Sequence, residues 1–174
     1  TGAGAVFWNR RYEPAAIARD AQVKADLAAA GLEVKSFNGA LLNEPHTITN
    51  KQGRPFQVFT PYWRHCLTLP VAAPIKMDTG PLLAPAKWPR SLAVAALELL
   101  PRIRWDAGFP AAWQPGEKSA LARVREFAAD AMAEYADWRD QPARDGTSRL
   151  SPHLHFGEVS PRQIWAAVRA AAKG

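Results

Sequence analysis

The sequence predicts an α/β part at the N-terminal end of the chain and an all-α part at the C-terminal end. A strand-helix-strand pattern runs over residues 5–37, and helical periodicity of apolar residues begins after residue 116. Between them lies a proline-rich stretch with eight of the 15 prolines, a composition typical of an extended connection. We therefore predict three regions: an α/β region at 1–67, a linker at 68–115 and a helical region at 116–174.

The α/β region begins with one parallel strand-helix-strand unit. Ala5–Asn9 is a short apolar run with aromatic and β-branched residues, which predicts a buried strand. Pro14 suits the first turn of the helix that follows, and Gly31 suits its C-terminal cap. Glu33–Phe37 predicts a second strand, parallel to the first because a helix joins them. A parallel sheet needs further strands and helices on both faces, so the predicted sheet is incomplete.

A polar loop is predicted over residues 41–53, and a short helix is predicted within the linker over residues 91–100. The helical region begins at Gly116 with one amphipathic helix, because apolar residues recur there every three or four positions: Leu121, Val124, Ala128, Ala131, Tyr135 and Trp138. Two Ser-Pro pairs, at Ser151 and Ser160, each predict an N-cap hydroxyl followed by a proline at the first helical position. Gln163 completes a capping box with Ser160.

The composition narrows the classes of function. The chain has 22 Lys and Arg against 16 Asp and Glu, which favours a polyanionic partner and equally fits a solvated basic surface. Cys66 is the single cysteine, which excludes a disulfide framework and a cysteine-based zinc site. No apolar run approaches the length of a membrane span. The first residues lack the features of a signal peptide, so we expect a cytoplasmic protein.

The segment from Gly146 to Pro152 has the residue types of a phosphate-binding site. It holds three hydroxyl side chains and one arginine directly before a helix start. Hydroxyl groups and free main-chain N–H groups donate hydrogen bonds to anionic oxygens, and arginine pairs with phosphate. Alternatively, Ser151 only caps its own helix while Thr147 and Ser148 form a turn.

Two other groups of residues carry weaker signals. His153 and His155 are two positions apart and do not share a helical face, so packing or capping roles are favoured over a metal pair. Residues 8–12 combine aromatic and basic side chains just after a strand, where open α/β sheets place their ligand crevice. A purely structural strand end explains the second pattern equally well.

Short motifs in order along nearly the whole chain resemble the photolyase/cryptochrome family of flavoproteins, which repair pyrimidine dimers in DNA with light or act as blue-light receptors. The matching pieces are Trp8-Asn-Arg-Arg-Tyr-Glu-Pro14, Val58-Phe-Thr-Pro-Tyr-Trp-Arg64, Gly116-Glu-Lys118, Tyr135 with Arg139-Asp140, and Gly146-Thr-Ser-Arg-Leu-Ser-Pro-His-Leu-His-Phe-Gly157 followed by Glu158-Val-Ser-Pro-Arg-Gln163.

The resemblance implies a role for several of these residues. Those that match the family's FAD-binding positions are Tyr135, Thr147, Ser148, Arg149, Leu150 and Ser151. Arg139 matches an arginine that contacts DNA, and its alternative role is a surface ion pair with Asp137 or Asp140. No catalytic residue and no metal ligand is implied within the chain.

The resemblance also implies a central part of a longer protein. Family members have further strands before the matching segment and a long helical region after it, and Thr1 stands where an initiator Met is expected. The first region then corresponds to an incomplete Rossmann-like antenna domain, and the last to the start of a helical FAD-binding domain. We expect the chain alone to lack catalysis, to bind FAD weakly or not at all, and to self-associate through exposed apolar faces.

The implied activity of the whole protein is light-dependent electron transfer from reduced FAD to a pyrimidine dimer in DNA. The alternatives are a cryptochrome-type blue-light photoreceptor and a non-catalytic, basic nucleic-acid-binding module. Family members that bind a folate antenna have an Asn-Glu pair where this chain has Ala15 and Ala16. A folate antenna is therefore not expected, and the identity of any antenna chromophore stays open.

Overall fold

The computed structural model describes residues 2–75, 80–81, 86–88 and 90–172. The chain divides into two compact units. One is formed by Thr1–Pro74 together with Gly116–Gly174, and the other by Ile75–Pro115. Part of the predicted linker, residues 76–79, 82–85 and 89, lies outside the described residues.

The first unit begins with the predicted strand-helix-strand unit. Strand β1 (Ala5–Asn9), helix α1 (Pro14–Ala29) and strand β2 (Glu33–Phe37) follow one another, and the two strands pair in parallel from Ala5 opposite Glu33 to Asn9 opposite Phe37. Pro14 lies in the first turn of α1. Gly31 follows the helix with φ +81°, a left-handed conformation that glycine adopts without strain. The prediction for residues 5–37 is confirmed in its element types and their order.

The prediction that β1 is buried is wrong. Successive side chains of a strand point to opposite faces, and Phe7 is 56% exposed. Phe37 on β2 is 51% exposed, and its ring meets that of Phe7 edge to face with centroids 6.1 Å apart. The described sheet has only two strands, so the face that carries these two rings stays open.

The remaining elements before residue 116 are short. In the first unit, the predicted loop contains a 3₁₀ turn at Pro45–Thr47, and helix α2 spans Phe59–Thr68. In the second unit, a 3₁₀ turn at Val94–Leu97 occupies the place of the predicted short helix, and α3 covers Phe109–Ala112. Among the residues described, no helix combines the length and the apolar character that crossing a membrane requires.

Residues 116–172 of the helical region form four helices: α4 (Glu117–Ala129), α5 (Tyr135–Trp138), α6 (Ser151–His155) and α7 (Pro161–Ala171). The prediction of one helix from Gly116 through Trp138 is wrong. The Met132 N–H donates to the Phe127 carbonyl at 2.9 Å, a six-residue turn typical of helix C-termini. The chain therefore leaves the helical path after Ala129 and begins a new helix at Tyr135.

A small apolar core joins three parts of the helical region. Ala120 and Val124 of α4 are buried against Leu150, which precedes α6, and Val159, which precedes α7. Half-buried side chains packed around them are Leu121, Leu154, Ile164 and Ala167. The core thus fixes the main chain on both sides of α6, which is too short to be stable by itself.

The capping box at the start of α7 is confirmed. The Ser160 hydroxyl accepts a hydrogen bond from the Gln163 main-chain N–H at 3.3 Å, and the Gln163 side-chain oxygen accepts one from the Ser160 N–H at 2.7 Å. Two N–H groups that a helix start leaves unpaired therefore have partners.

Removal of this cap is expected to destabilise the chain. We expect Ser160→Ala to lower the free energy of unfolding by about 1 kcal/mol, since a lost N-cap costs about 0.5–2 kcal/mol. Urea unfolding followed by circular dichroism measures the change, with Ser91→Ala as a control because Ser91 is exposed in the second unit. Equal midpoints for the two variants would contradict the role of the cap.

Candidate functional site

The segment between α5 and α6 that sequence analysis selected is anchored first at Gly146. This glycine is buried against Trp138 of α5. A Cβ atom at position 146 would lie 2.8 Å from the Trp138 carbonyl carbon and 2.9 Å from its oxygen. Only glycine allows the two main chains to approach this closely.

The second anchor of the segment is Leu150. Its side chain is 3% exposed and belongs to the core with Val124 and Val159. The side chain of Leu150 is therefore not available to a ligand, and any binding role for this residue is confined to its main chain.

The residues between the two anchors face the surface. Thr147 is exposed, Ser148 is half-buried, and Ser151 just after Leu150 is exposed. Arg149 has a φ of +51°, an uncommon conformation for a residue with a side chain. The segment thus presents hydroxyl groups on a main chain held at Gly146 and Leu150.

Two arginines and one carboxylate surround the segment. Arg123 of α4 donates through Nε to the Ser148 carbonyl at 3.2 Å and lies 3.4 Å from the Asp145 carboxylate. The Nε atom of Arg149 lies 3.0 Å from the same carboxylate. Asp145 thus partly neutralises two guanidinium groups, and the side chain of Arg149 stays 52% exposed.

The prediction that Ser151 is the N-cap of its helix is wrong. The N-cap residue is Leu150, and Ser151 is the first residue of α6. Leu150 already has helix-like angles (φ −86°, ψ −2°), and the Leu154 N–H donates to its carbonyl at 2.9 Å. The turn therefore starts one residue earlier than the Ser-Pro pair indicated.

The donor set fits a phosphate-bearing ligand. Hydroxyl groups donate one hydrogen bond each, and a partly exposed guanidinium group donates several to anionic oxygens. Thr147 and Ser151 are exposed, so their hydroxyls are accessible to solvent. About half of the Arg149 side chain is exposed although it pairs with Asp145, so its guanidinium group is accessible to an anion.

Tyr135 and Arg139 lie on and just after α5, one turn apart. Tyr135 is 41% exposed, and its ring meets Phe127 edge to face at 5.8 Å. The Arg139 guanidinium lies 6.0 Å from the centre of the Tyr135 ring, and its Nε atom is 3.5 Å from the Asp140 carboxylate. Arg139 is exposed, which leaves it open to a polyanion.

A pair between buried His153 and half-buried Glu158 was missed by sequence analysis. His153 of α6 is 6% exposed, and its Nδ1 atom donates to Glu158 Oε2 at 2.6 Å. Gly157 (φ +70°) turns the chain between them, so the five-residue spacing with a glycine before the glutamate is the only local signal for this contact. The pair closes the turn that leads from α6 to α7.

The His153–Glu158 pair predicts a pH dependence. Hydrogen bonds from His153 and from the Gly116 main chain hold the pKa of the Glu158 carboxyl below its ordinary value. Because the folded state favours the carboxylate, the pair's contribution is complete above the ordinary glutamate pKa of about 4.3 and is lost as pH falls through the lowered pKa.

We therefore expect Glu158→Gln to reduce the acid-induced loss of stability below about pH 4.3. Urea midpoints measured from neutral to acid pH test this, with Glu134→Gln as the control because Glu134 is exposed. If the urea midpoint of Glu158→Gln fell with acid pH as steeply as that of the unmodified chain, the assigned hydrogen bonds would be contradicted.

A cavity of about 610 Å³ lies where β1 and β2 end. Its lining includes Asn9, Tyr12 and Gly39 on the strand side and His155 and Phe156 from the end of α6. Arg10 also lines it, and its guanidinium binds both Glu44 carboxylate oxygens, at 2.5 and 2.6 Å. A cavity therefore lies at the strand end for which sequence analysis left a ligand crevice and a purely structural role as alternatives.

Comparisons with known proteins agree with the resemblance in the sequence. A family model described as DNA photolyase matches residues 1–78. The deoxyribodipyrimidine photo-lyase of Agrobacterium fabrum is 40% identical over 99% of this chain and 36% of its own length. Cryptochrome-1 of Arabidopsis thaliana is 37% identical over 97% of the chain and 25% of its own length. The chain thus spans about a third or less of these relatives.

Solved structures show the same relationship. The crystal structure of a class III photolyase from Agrobacterium tumefaciens superposes with a TM-score of 0.93 at 40% identity, over 99% of this chain and 36% of that one. A Synechocystis cryptochrome superposes with a TM-score of 0.76 at 21% identity, over 98% of this chain and 36% of that one, and shows the shared fold alone.

Proposed function

Because the chain belongs to the DNA photolyase and cryptochrome family, we propose that the protein to which it contributes is a deoxyribodipyrimidine photo-lyase. The observation that carries the proposal is the segment from Gly146 to Ser151, anchored at Gly146 and Leu150 with its hydroxyl groups at the surface. The donor set of this segment fits the phosphate and ribitol parts of FAD.

Each residue of the segment has a defined part in this proposal. Thr147, Ser148 and Ser151 donate hydroxyl hydrogen bonds to the cofactor, and Arg149 adds a guanidinium group. Leu150 contributes its main chain, since its side chain is in the core. Tyr135 is the first residue of α5, whose last residue Trp138 contacts Gly146, and we propose that its exposed ring also contacts the cofactor. When bound, FAD supplies the light-driven electron, and these residues hold and orient it.

Arg139 is proposed as a contact to the DNA backbone. Its guanidinium rests beside the Tyr135 ring and has one exposed carboxylate partner, Asp140. An exposed ion pair of this kind is worth little, about 0–1 kcal/mol, so a phosphate replaces the carboxylate at small cost. The proposed substrate is DNA that contains pyrimidine dimers.

The chain alone is proposed to bind FAD weakly and to lack repair activity. Thr147 and Ser151 lie on an open surface, and a single surface leaves most of a large ligand in water. A folate antenna remains unexpected, because Ala15 and Ala16 in the first turn of α1 offer no side-chain hydrogen bond.

A cryptochrome-type photoreceptor is the second candidate function. Cryptochrome-1 and cryptochrome-2 of Arabidopsis thaliana are 37% and 35% identical to the chain, close to the values for the photo-lyases. The residues from Thr147 to Ser151 are proposed to bind flavin in either function. A repair assay of the whole protein therefore separates the two.

A chimera tests the proposed function. The chain replaces the matching segment of the Agrobacterium photo-lyase, and cells without their own photo-lyase are irradiated with ultraviolet and then visible light. We expect light-dependent survival and retained flavin absorbance, and loss of both in the Ser148→Ala, Ser151→Ala double variant. Ser91→Ala, an exposed serine of the second unit, is the matched control.

Two outcomes would contradict the proposal. Flavin retained equally by the double variant and the Ser91→Ala control would show that the hydroxyl groups do not hold the cofactor. A folded chimera with bound flavin and no light-dependent survival would show that this segment does not support repair, which contradicts the proposed activity.

A further inference from the structure

A second cleft of the first unit lies outside the segment that holds the proposed cofactor site. Its volume is about 540 Å³, and it lies between the loop at residues 49–56 and helix α2. The residues that line it are Thr49, Asn50, Lys51, Gln52, Phe56, Pro61 and His65. The lining thus combines amide and hydroxyl groups, one lysine and two rings.

The chain segment that forms this cleft carries charged side chains of one sign only. No Asp or Glu occurs between Glu44 and Asp78, whereas Lys51, Arg54 and Arg64 lie within that stretch. In the part of the chain that the structure describes, none of these three side chains forms an ion pair with a carboxylate. All three are exposed: Lys51 lines the cleft, Arg54 lies on the loop that forms one side of it, and Arg64 lies on α2. Their positive charge attracts anions.

The loop that carries Lys51 and Arg54 has a defined shape. The Asn50 side-chain oxygen accepts hydrogen bonds from the main-chain N–H groups of Gln52 at 2.9 Å and Arg54 at 3.0 Å. The Asn50 N–H donates to the Arg54 carbonyl at 2.8 Å, which closes the loop. The positive side chains are thus attached to an ordered main chain.

Two rings form the other side of the cleft. Phe56 is half-buried, and its ring centre lies 5.5 Å from that of His65 at an angle of 34°. Tyr62 meets Phe56 edge to face at 6.2 Å, which holds the Phe56 ring in place. A flat, partly exposed ring beside positive charges is the combination that single-stranded nucleic acids bind, with bases on rings and phosphates on cations.

We propose that this cleft binds a nucleotide unit of a single DNA strand, with Lys51 and Arg54 at the phosphates and Phe56 beside the base. The inference rests on the proposed function for the choice of DNA among phosphate-bearing ligands. The cleft is a binding surface additional to Arg139, and it uses neither the hydroxyl segment nor α5.

The test measures binding of the 174-residue chain to a fluorescein-labelled poly-thymidine strand by fluorescence anisotropy over a series of salt concentrations. For single strands, log K falls with log salt by about 0.7 per phosphate contact. We therefore expect the Lys51→Gln, Arg54→Gln double variant to bind the strand more weakly. Because two phosphate contacts are removed, its slope of log K against log salt should be less steep by about 1.4. Arg125→Gln on α4 is the matched control, since Arg125 is exposed.

Phe56→Leu tests the base contact, with circular dichroism to confirm the fold. We expect its affinity for the strand to fall by about five- to 150-fold, the range for loss of one stacked base, with no change in the salt slope. The charge variants lie on an exposed loop, so they remain informative if Phe56→Leu does not fold.

Several outcomes would overturn the inference. It fails if the wild-type chain does not bind the strand, or if the double variant has the slope and affinity of Arg125→Gln. It also fails if free thymidine monophosphate competes at equal nucleotide concentration, because the cleft would then bind free nucleotides. Flavin retention and repair by the chimera test the proposed function separately, and neither depends on Lys51 or Arg54.

Discussion

Leu150→Ala is expected to destabilise the chain by about 2–5 kcal/mol, the cost of removing a buried leucine side chain. Leu150 is 3% exposed and packs with Val124 and Val159 in the core that joins α4 to α7. A small domain has a total stability of only about 5–15 kcal/mol, so the loss is a large part of the whole. Urea unfolding of the 174-residue chain measures it.

Leu150→Ala should lower the local stability of the hydroxyl segment more than that of the rest of the chain. Leu150 anchors one end of the hydroxyl segment, so loss of its packing releases Thr147–Ser151 before the chain unfolds globally. Hydrogen exchange of these amides is expected to accelerate more than that of α1. Leu150→Met, which keeps most of the volume, should cost less than about 1.5 kcal/mol. Equal costs for both variants would contradict the assigned packing.

Gly146→Ala is expected to be the second most damaging substitution. The added Cβ would lie 2.8 Å from the Trp138 carbonyl carbon, and the atoms it meets include main-chain atoms, which cannot move without displacing α5. Overpacking of a close contact costs about 1–3 kcal/mol and occasionally more. We expect a lower urea midpoint and, in the chimera with the Agrobacterium photo-lyase, reduced retention of flavin.

Gly108→Ala is the matched control for this substitution. A Cβ at Gly108 meets no atom within 4 Å, and its φ of −82° suits any residue. Gly108→Ala should therefore leave the midpoint almost unchanged. A Gly146→Ala variant as stable as Gly108→Ala would show that α5 and the hydroxyl segment are not in contact as described.

Local signals in the sequence were enough to predict the type and order of the elements in residues 5–37 and the start of the helix at residues 160–171. Pro14 and Gly31 mark the ends of α1 by their own conformational restrictions, and Ser160 with Gln163 forms a cap within four residues. Such features depend on neighbours in the chain, so the sequence contains all that determines them.

Contacts between distant residues were not predictable in the same way. Helix α4 ends after Ala129 in a turn closed by the Met132 N–H and the Phe127 carbonyl, although the apolar periodicity of the sequence continues past this point without a break. One face of β1 is exposed because the described sheet has only two strands. The residues of β1 alone do not indicate how many strands lie beside it. Tertiary context decided both cases.

The candidate site was partly predictable for the same reasons. Residue types alone identified the segment after Gly146 as suited to phosphate, and this prediction needed no structure. The burial of Leu150, the Arg123 hydrogen bond to Ser148 and the His153–Glu158 pair come from residues that the fold brings together. Because of these contacts, the main chain of residues 146–151 is held in place, whereas that of an ordinary surface turn is not.

The proposed function requires that the residues between Gly146 and α6 bind the phosphate part of a flavin nucleotide. Amide chemical shifts of the isotope-labelled 174-residue chain, titrated separately with FAD and with riboflavin, test it most directly, because they report weak binding. We expect shifts concentrated at Thr147–Ser151 with FAD and much smaller shifts there with riboflavin, which has the ribitol chain but lacks phosphate. Shifts of equal size with both ligands, or FAD-induced shifts that bypass these residues, would contradict it.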